Sequence, residues 1–163
     1  MVSNDQIYDW LASVNDPEVP VLSILDLGVV RGVKQLENGA WEITITPTYS
    51  GCPAMQVIED DIKANLLLNG IDNVQVVSVL SPAWTTDWLS ENGRKKLKEY
   101  GIAPPVNELD KSVLFGVPTP VPCPLCDTIN TKMISQFGST ACKAHYQCQE
   151  CLEPFDYFKC LCT

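Results

Sequence analysis

The chain contains 163 residues with a mass of 18.0 kDa, 45% of them hydrophobic, and it carries a formal net charge of −9. A chain of this length and hydrophobic content can bury a core, so disorder is not expected. The acidic balance, with a sequence pI near 4.4, argues against nucleic acid and against an anionic membrane surface as partners.

The N-terminal decapeptide, MVSNDQIYDW, has none of the basic, apolar and small-residue regions of a secretory signal. No apolar run approaches the roughly 18 residues needed to span a bilayer. The eight cysteines are therefore expected in the reducing cytoplasm, where thiols bind metals or do chemistry more often than they form disulfides.

A first helix is predicted close to the N-terminus. Ser3, followed three residues later by Gln6, has the pattern of a capping box. Asp16-Pro17 is expected to end the helix, because a residue before proline is pushed away from helical angles. Helical spacing places four apolar residues on one face: Ile7, Trp10, Leu11 and Val14.

Two strands, a helix and a third strand are predicted next. Residues 29–36 are rich in β-branched side chains, residues 41–46 alternate apolar and polar, and Asn38-Gly39 between them suits a hairpin turn. A helix is predicted over 54–69, with Gly70 as its C′ residue, and a strand over 74–80. With the first helix, these elements make an α-β-β-α-β unit. The helix carries an apolar face formed by Met55, Ile58, Ile62 and Leu66.

The second half of the chain divides into three stretches. Residues 84–100 are predicted to be helical, with a break or a close packing contact at Gly93, because an interior glycine costs about 1 kcal/mol relative to alanine. Residues 103–122 are rich in proline and are expected to form an extended linker. The predicted domains are therefore an α/β domain over 1–102, a proline-rich linker over 103–122 and a cysteine-rich module over 123–163.

Two CxxC pairs in this module predict a metal site. Cys123 with Cys126 and Cys148 with Cys151 are separated by 21 residues, slightly more than the usual roughly 15–20. Four such thiolates complete a tetrahedral zinc site with Zn–S bonds of about 2.3 Å. The apolar stretches between and after the pairs give the layout of a zinc ribbon, expected to be too small to bury a core without its metal. One alternative is that the two CxxC pairs are redox or disulfide pairs. The other is that the same four cysteines hold iron or a cluster instead of zinc.

Three more cysteines and the only histidine lie near these ligands. The expectation for Cys142, Cys160 and Cys162 is that they are free thiols near a surface. Two alternatives stay open: that one of them replaces an assumed ligand, or that the three form a second soft-metal site. His145 is interpreted as a packing or solvent-facing residue rather than a ligand.

Cys52 is the lone cysteine of the first domain, between the second strand and the long helix. Pro53 suits the first helical position, which predicts Cys52 at the N-cap. There the helix dipole lowers a thiol pKa, as a metal ligand or nucleophile requires. The alternative is a small capping residue packed under the sheet. Hydroxyl groups flank Cys52 on Thr46, Thr48 and Ser50.

Charged residues near these elements have two interpretations each. Asp16, Glu18 and Asp26 are candidates to ligate iron beside a thiolate, or to act as capping and turn residues. The basic run 94–98 favours a solvated helix face over a dock for an acidic partner. With a single histidine and no Glu-x-x-His pattern on any predicted helix, no complete catalytic constellation is present, and the chain is not expected to be an enzyme.

Three segments of the first domain resemble the iron–sulfur assembly domain of cluster-maturation factors. They are residues 16–20 (DPEVP), 25–28 (LDLG) and 46–53 (TPTYSGCP). This resemblance covers roughly residues 3–102. Three further segments make this resemblance more specific: residues 82–88 (PAWTTDW), 101–105 (GIAPP) and 155–160 (FDYFKC). Together they make the chain similar to the D-subunit family of the bacterial phenylacetyl-CoA epoxidase of aerobic phenylacetate degradation.

The resemblance implies an α+β fold, with a mixed sheet followed by a C-terminal zinc ribbon. It also implies an accessory role in building or repairing iron or iron–sulfur centres of the epoxidase, with its oxygenase and reductase components as partners. A stoichiometric structural subunit is the alternative, and a homodimer stays open. Zinc is implied at the ribbon cysteines, together with a transient iron or cluster at Cys52. Four other residues are implied around the Cys52 pocket: Asp16, Asp26, Thr46 and Thr48.

Overall fold

A computed structural model describes residues 1–106 and 120–159. Residues 107–119 of the predicted linker, and Cys160 and Cys162, lie outside the described residues. The chain forms two compact units: an N-terminal unit of residues 1–84 with 88–90, and a C-terminal unit of residues 85–87 with 91 onward. The predicted domain boundaries remain predictions. Within the described residues, no helix is long and apolar enough to cross a membrane.

Helix α1 spans Asn4–Leu11, and the predicted capping box is confirmed. The Gln6 amide donates to the Ser3 hydroxyl over 3.3 Å, and the Ser3 amide donates to the Gln6 side chain over 3.0 Å. The predicted extension to Val14 is wrong, because the chain turns after Leu11 and Asn15 pairs with Ser23 in a β-bridge. Val14 is buried all the same.

A three-stranded mixed sheet forms the body of the N-terminal unit. Strands β1 (Val30–Gln35) and β2 (Trp41–Ile45) are antiparallel, and β3 (Val74–Ser78) pairs parallel with β2. Helix α2 (Ala54–Leu68) connects β2 to β3. The α-β-β-α-β order and the mixed sheet are therefore confirmed. The buried face of α2 consists of Ala54, Ile58, Ile62 and Leu66; Met55, expected on that face, is only half-buried.

The predicted helix over 84–100 is interrupted, but not at Gly93: of the two alternatives for that residue the break is wrong, and its burial fits a close packing contact. A 3₁₀ turn (Thr86–Trp88) precedes helix α3 (Glu91–Glu99), and Gly93 is a buried residue within α3. The interruption falls at Ser90, because the Ser90 amide and hydroxyl donate to the Asp26 carbonyl and carboxylate over 2.8 and 3.1 Å. These tertiary bonds fix the chain where a helix would otherwise continue.

The C-terminal unit contains α3 and a four-stranded sheet in the order β4-β7-β6-β5. The strands are β4 (Ile102–Ala103), β5 (Thr131–Ser135), β6 (Lys143–Cys148) and β7 (Pro154–Phe158), and β4 pairs parallel with β7.

The C-terminal unit has a buried core that draws on residues outside the ribbon hairpins, and the expected dependence of that core on metal stays a prediction. The Tyr146 ring stacks on Phe155 at 5.8 Å and meets Tyr157 edge-on at 5.7 Å between ring centroids. β4 and Val121 add apolar residues that the ribbon sequence alone does not supply. The core comprises Ala103, Val121, Cys123, Ala144, Tyr146, Cys148, Phe155 and Tyr157.

Candidate metal centre and thiol site

Four cysteine sulfurs converge at one end of the C-terminal unit, and all lie within 4.8 Å of one another. The Cys123 and Cys151 sulfurs are 3.8 Å apart, and the Cys126 and Cys148 sulfurs are 3.5 Å apart. Sulfurs bound to zinc at about 2.3 Å form a tetrahedron with edges of about 3.8 Å. The four thiols are free, so this cage fits one tetrahedral Zn²⁺ rather than two disulfides.

The two CxxC turns share one backbone hydrogen-bond pattern. In each, the amide of the first cysteine donates to the carbonyl five residues later: Cys123 to Thr128 over 2.9 Å and Cys148 to Glu153 over 3.0 Å. The residue directly after the second cysteine has a left-handed backbone in both turns, with φ of 61° at Asp127 and 63° at Leu152. The turns are therefore equivalent knuckles, although their sequences differ.

Backbone amides aim at the ligand sulfurs. The amides of Glu150 and Cys151 both donate to the Cys148 sulfur over 3.4 Å. Burial opposes ionisation of Cys148, but these amides, together with the thiols of Cys151 and Cys126, outweigh it and lower the pKa of Cys148 to about 7. Amide donors stabilise the negative charge of a thiolate, which is the protonation state that a metal requires.

The four thiols cannot all ionise without a cation. The Glu153 amide lowers the pKa of Cys151, but burial and the three neighbouring cysteines raise it to about 12. Once one of the four thiols has ionised, its negative charge opposes ionisation of the other three. A divalent cation at the centre removes that repulsion, because a coordinating thiol is deprotonated outright.

Cys142 and His145 lie outside the four-sulfur group found among the described residues. Cys142 is buried and its sulfur lies 3.1 Å from the Thr140 hydroxyl. The Nδ1 atom of His145 lies 3.5 Å from the Asp156 carboxylate. His145 is thus outside the ligand group, as expected, whereas the expected surface position of Cys142 is wrong because its side chain is buried.

Cys52 lies in the N-terminal unit, in a tight turn between β2 and α2. The Cys52 amide donates to the Tyr49 carbonyl over 3.3 Å, and Gly51 supplies the positive φ of 77° that such a turn needs. The N-cap of α2 is Pro53, so the predicted N-cap position of Cys52 is wrong by one residue. The Ala54 amide and the Tyr49 hydroxyl nevertheless donate to the Cys52 thiol.

The expected low pKa of Cys52 is also wrong, because burial raises its pKa above the ordinary value. The Ala54 amide and the Tyr49 hydroxyl lower the pKa, but the negative charges of Glu18 and Asp16 raise it further. A thiol with 9% of its surface exposed beside two carboxylates keeps its proton at neutral pH.

The predicted acidic residues have defined structural roles. The Asp16 carboxylate accepts hydrogen bonds from the amides of Glu18 and Val19 over 2.7 and 2.9 Å, which holds Glu18 where its charge acts on Cys52. The Asp26 carboxylate accepts from the Ser23 amide over 3.3 Å and from the Ser90 hydroxyl over 3.1 Å. Both act as turn residues, the commoner of the two interpretations, and Asp16 also contributes to the thiol site.

Thr46 and Thr48 differ in their environments. Thr46 has 1% of its surface exposed, and its hydroxyl oxygen has no hydrogen-bond partner among the described residues. A buried hydroxyl without a partner is costly, so Thr46 is a candidate to meet a bound group. Thr48 is half-buried. Tyr49 was missed by the sequence analysis, although its position three residues before Cys52 in a turn containing glycine was a usable signal.

The interpretation of the basic run as a solvated helix face is wrong for Arg94. Its guanidinium donates to the carbonyls of Pro105 and Thr86 over 2.8 and 3.0 Å, so Arg94 braces two backbone segments of the C-terminal unit. Lys95 is exposed, and Lys98 pairs with Asp127 at 2.5 Å.

Two family models match the chain. An iron–sulfur cluster assembly protein model matches residues 4–79, and a PaaD zinc beta ribbon domain model matches residues 108–159. The first match contains the Cys52 turn, and the second contains all four ligand cysteines.

The chain is 51% identical over 156 residues to a protein of Escherichia coli (strain K12) that is provisionally named as the D-subunit of 1,2-phenylacetyl-CoA epoxidase. This match covers 96% of the chain and 92% of that protein. An Fe-S protein maturation auxiliary factor of Bacillus subtilis (strain 168) is 38% identical, over 53% of this chain and 84% of its own.

Among solved structures, a domain of unknown function DUF59 from Bacillus anthracis matches 57% of the chain and 89% of that domain. The TM-score is 0.53 and the sequence identity is 33%.

Proposed function

The chain belongs to the D-subunit family of 1,2-phenylacetyl-CoA epoxidase, and we propose that it helps to build or repair the iron or iron–sulfur centres of that enzyme. Its iron–sulfur assembly-type domain and its similarity to Fe-S protein maturation factors indicate an accessory role. On that ground we assign it no turnover chemistry of its own. We also assign it to the cytoplasm, since thiols that handle metals must stay reduced.

The environment of Cys52 is the observation that carries this proposal. A nucleophilic cysteine needs a lowered pKa, whereas burial and the charges of Glu18 and Asp16 raise the pKa of Cys52. The same two carboxylates attract a cation. A thiol that keeps its proton until iron or a cluster arrives suits transient metal handling better than covalent catalysis, because the metal replaces the proton.

The neighbouring groups suit such a cargo. The Ala54 amide and the Tyr49 hydroxyl donate to the sulfur, and donors of this kind stabilise a metal-bound thiolate. We propose that Thr46 and Thr48 line the same pocket. We propose that Asp26 is not a metal ligand and that it supports the Cys52 pocket by holding its own loop through the hydrogen bonds with Ser23 and Ser90.

We propose that the zinc ribbon binds the partner protein and does not itself carry the iron or cluster that is transferred. A closed four-cysteine site is usually structural, since it leaves no open coordination position. The proposed partners are the oxygenase and reductase components of the epoxidase. The name of the Escherichia coli relative favours a second candidate, a lasting structural subunit; gel filtration distinguishes the two, because a lasting subunit co-elutes with the other components.

The proposal is tested by co-expressing the other epoxidase components with the wild-type chain, with Cys52→Ser, or with Cys142→Ala. Cys142 is a second buried cysteine that forms no disulfide and lies outside the zinc cage, so it is a matched control. We expect Cys52→Ser to lower the iron and sulfide content of the purified components and their epoxidation activity, while Cys142→Ala leaves both unchanged. Equal iron content with Cys52→Ser and the wild-type chain would contradict the proposal.

A further inference from the structure

The metal end of the ribbon carries exposed apolar side chains beside its ligands. Leu125 directly precedes Cys126, and Leu152 directly follows Cys151. Leu125, Ile129 and Leu152 have 62%, 68% and 66% of their surface exposed. Leu125 and Leu152 are bonded to ligand cysteines whose sulfurs lie within 4.8 Å of one another. Ile129 precedes Asn130, whose side-chain amide donates to Glu150 of the second knuckle over 2.8 Å, so it belongs to the same end of the unit. We call the three apolar residues, with Cys126 and Cys151, the knuckle tip.

Leu152 is an unfavourable residue at its backbone position. Its φ of 63° is in the left-handed region, where glycine has no penalty and a branched side chain has one. Asp127 occupies the equivalent position of the first knuckle with φ of 61°, and aspartate tolerates this region better. Leu152 thus lowers the stability of its knuckle, and its exposed side chain recovers little of that loss by burial. Such strain is retained where it serves a function.

The knuckle tip is also anionic. Four thiolates around one divalent cation leave a formal charge of about −2, and Cys126 and Cys151 are the exposed members of the set. Glu150 and Glu153, on either side of Cys151, are exposed as well. Two lysines lie near this end: Lys98, which pairs with Asp127, and the exposed Lys132, opposite Gln147 in β6. They do not outweigh the thiolates and the exposed glutamates. Exposed apolar side chains framed by negative charge are complementary to an apolar patch framed by positive charge.

We propose that the knuckle tip docks a partner protein whose contact face has apolar side chains surrounded by lysine or arginine. A second copy of this chain suits the tip poorly, because each copy has a net charge of −9. The inference rests on the proposed function, and its partner is the epoxidase component that receives iron or a cluster. Leu152 is the central contact, because its leucine side chain is kept at the expense of folding stability.

The test uses the zinc-loaded full chain and the purified oxygenase and reductase components of the epoxidase as probes. Affinity is measured at low and moderate salt for the wild type, Leu152→Gly, Leu152→Asn and Leu68→Ser. Leu68 has 88% of its surface exposed on α2, so it is a control for loss of an exposed leucine elsewhere. Melting temperatures are recorded for the same proteins and for Asp127→Gly, which relieves the equivalent backbone position.

We expect Leu152→Gly and Leu152→Asn to weaken binding to one component at least about tenfold, as truncation of a central contact does. Leu68→Ser should leave the affinity unchanged, and wild-type affinity should fall as salt rises. Leu152→Gly should raise the melting temperature of the C-terminal unit by about 4 °C. Higher stability with weaker binding is the combination that a merely structural leucine cannot produce.

Three results would overturn the inference. Lower stability of Leu152→Gly would mean that the leucine packs within its own chain. If the wild type were a dimer and Leu152→Gly made it monomeric, the knuckle tip would bind a second copy of this chain instead. Unchanged binding by both Leu152 variants, or no binding by the wild type, would remove the docking surface. If Cys52→Ser still lowers the iron content of the components in any of these cases, the proposed function stands and only the docking surface fails.

Discussion

The backbone of Trp88 crosses directly over Gly28. A Cβ atom on Gly28 would lie 2.5 Å from the Trp88 carbonyl oxygen and 2.7 Å from the Trp88 Cβ. Gly28 also has φ of 72°. The crossing is held by the Trp84 indole, which donates to the Leu27 carbonyl over 2.7 Å, and by the Arg31 guanidinium, 3.6 Å above the Trp88 ring.

This close approach predicts that Gly28→Ala destabilises the N-terminal unit by about 2–4 kcal/mol, from backbone strain together with a clash. Gly39→Ala is the matched control, because Gly39 has φ of 83° but open space around it; it should cost only about 1 kcal/mol. Urea unfolding followed by tryptophan fluorescence measures both changes, since all four tryptophans lie in this unit. Equal losses would refute the close contact.

The raised pKa of Cys52 predicts slow alkylation near neutral pH, with a rate that increases until the pH passes the pKa. The midpoint should exceed the value of about 8.5 for an exposed thiol. Two variants should shift it in opposite directions. Tyr49→Phe removes a donor to the thiolate and raises the midpoint, whereas Glu18→Gln removes a negative charge and lowers it.

Site-resolved mass spectrometry separates Cys52 from the other seven cysteines. A wild-type midpoint at or below that of an exposed thiol would contradict the burial argument. Shifts of the two variants in the same direction would contradict the assignment of Tyr49 and Glu18 to the thiol.

Arg94 is predicted to stabilise the C-terminal unit through its two carbonyl contacts. Arg94→Met keeps much of the aliphatic stem but loses both hydrogen bonds, and should cost about 2 kcal/mol. Lys95→Met, one position along at an exposed site, should cost less than about 0.5 kcal/mol. Calorimetry measures both changes, and tryptophan fluorescence, which reports on the N-terminal unit, identifies the transition that does not belong to the C-terminal unit. If the two variants had the same melting temperature, the carbonyl contacts of Arg94 would not stabilise the unit and Arg94 would be a solvated residue.

Zinc removal tests how far the ribbon depends on its metal. Cys123 and Cys148 belong to both the cage and the core, so a chelator should lower the melting temperature of the C-terminal unit by at least about 10 °C. The aromatic core should still give a cooperative transition at lower temperature. Complete loss of that transition would mean that the core of Tyr146, Phe155 and Tyr157 cannot form without the ion.

Local patterns made much of this molecule predictable from its sequence. The capping box at Ser3, the Asn38-Gly39 turn and the two CxxC pairs each act within a few residues, and all agree with the structure. The spacing of the ribbon cysteines was informative because a two-residue gap fixes two sulfurs on one ion.

The errors, and the features that the sequence did not reveal, came from tertiary contacts. The pKa of Cys52 depends on burial and on Glu18 and Asp16, more than thirty residues earlier in the chain. The helix break depends on the contact of Ser90 with Asp26. The ribbon core depends on β4, which precedes the cysteines and pairs with β7. None of these is a local property of the sequence.

The central claim is that Cys52 handles iron or a cluster for the epoxidase. The most direct measurement follows cluster formation, under anaerobic conditions, in the metal-free iron–sulfur component of the epoxidase mixed with iron-loaded chain and inorganic sulfide. We expect the wild type and Cys142→Ala to transfer iron at the same rate, and Cys52→Ser to be at least about tenfold slower. Equal transfer by Cys52→Ser and the wild type, with the zinc ribbon intact in both, would contradict the account.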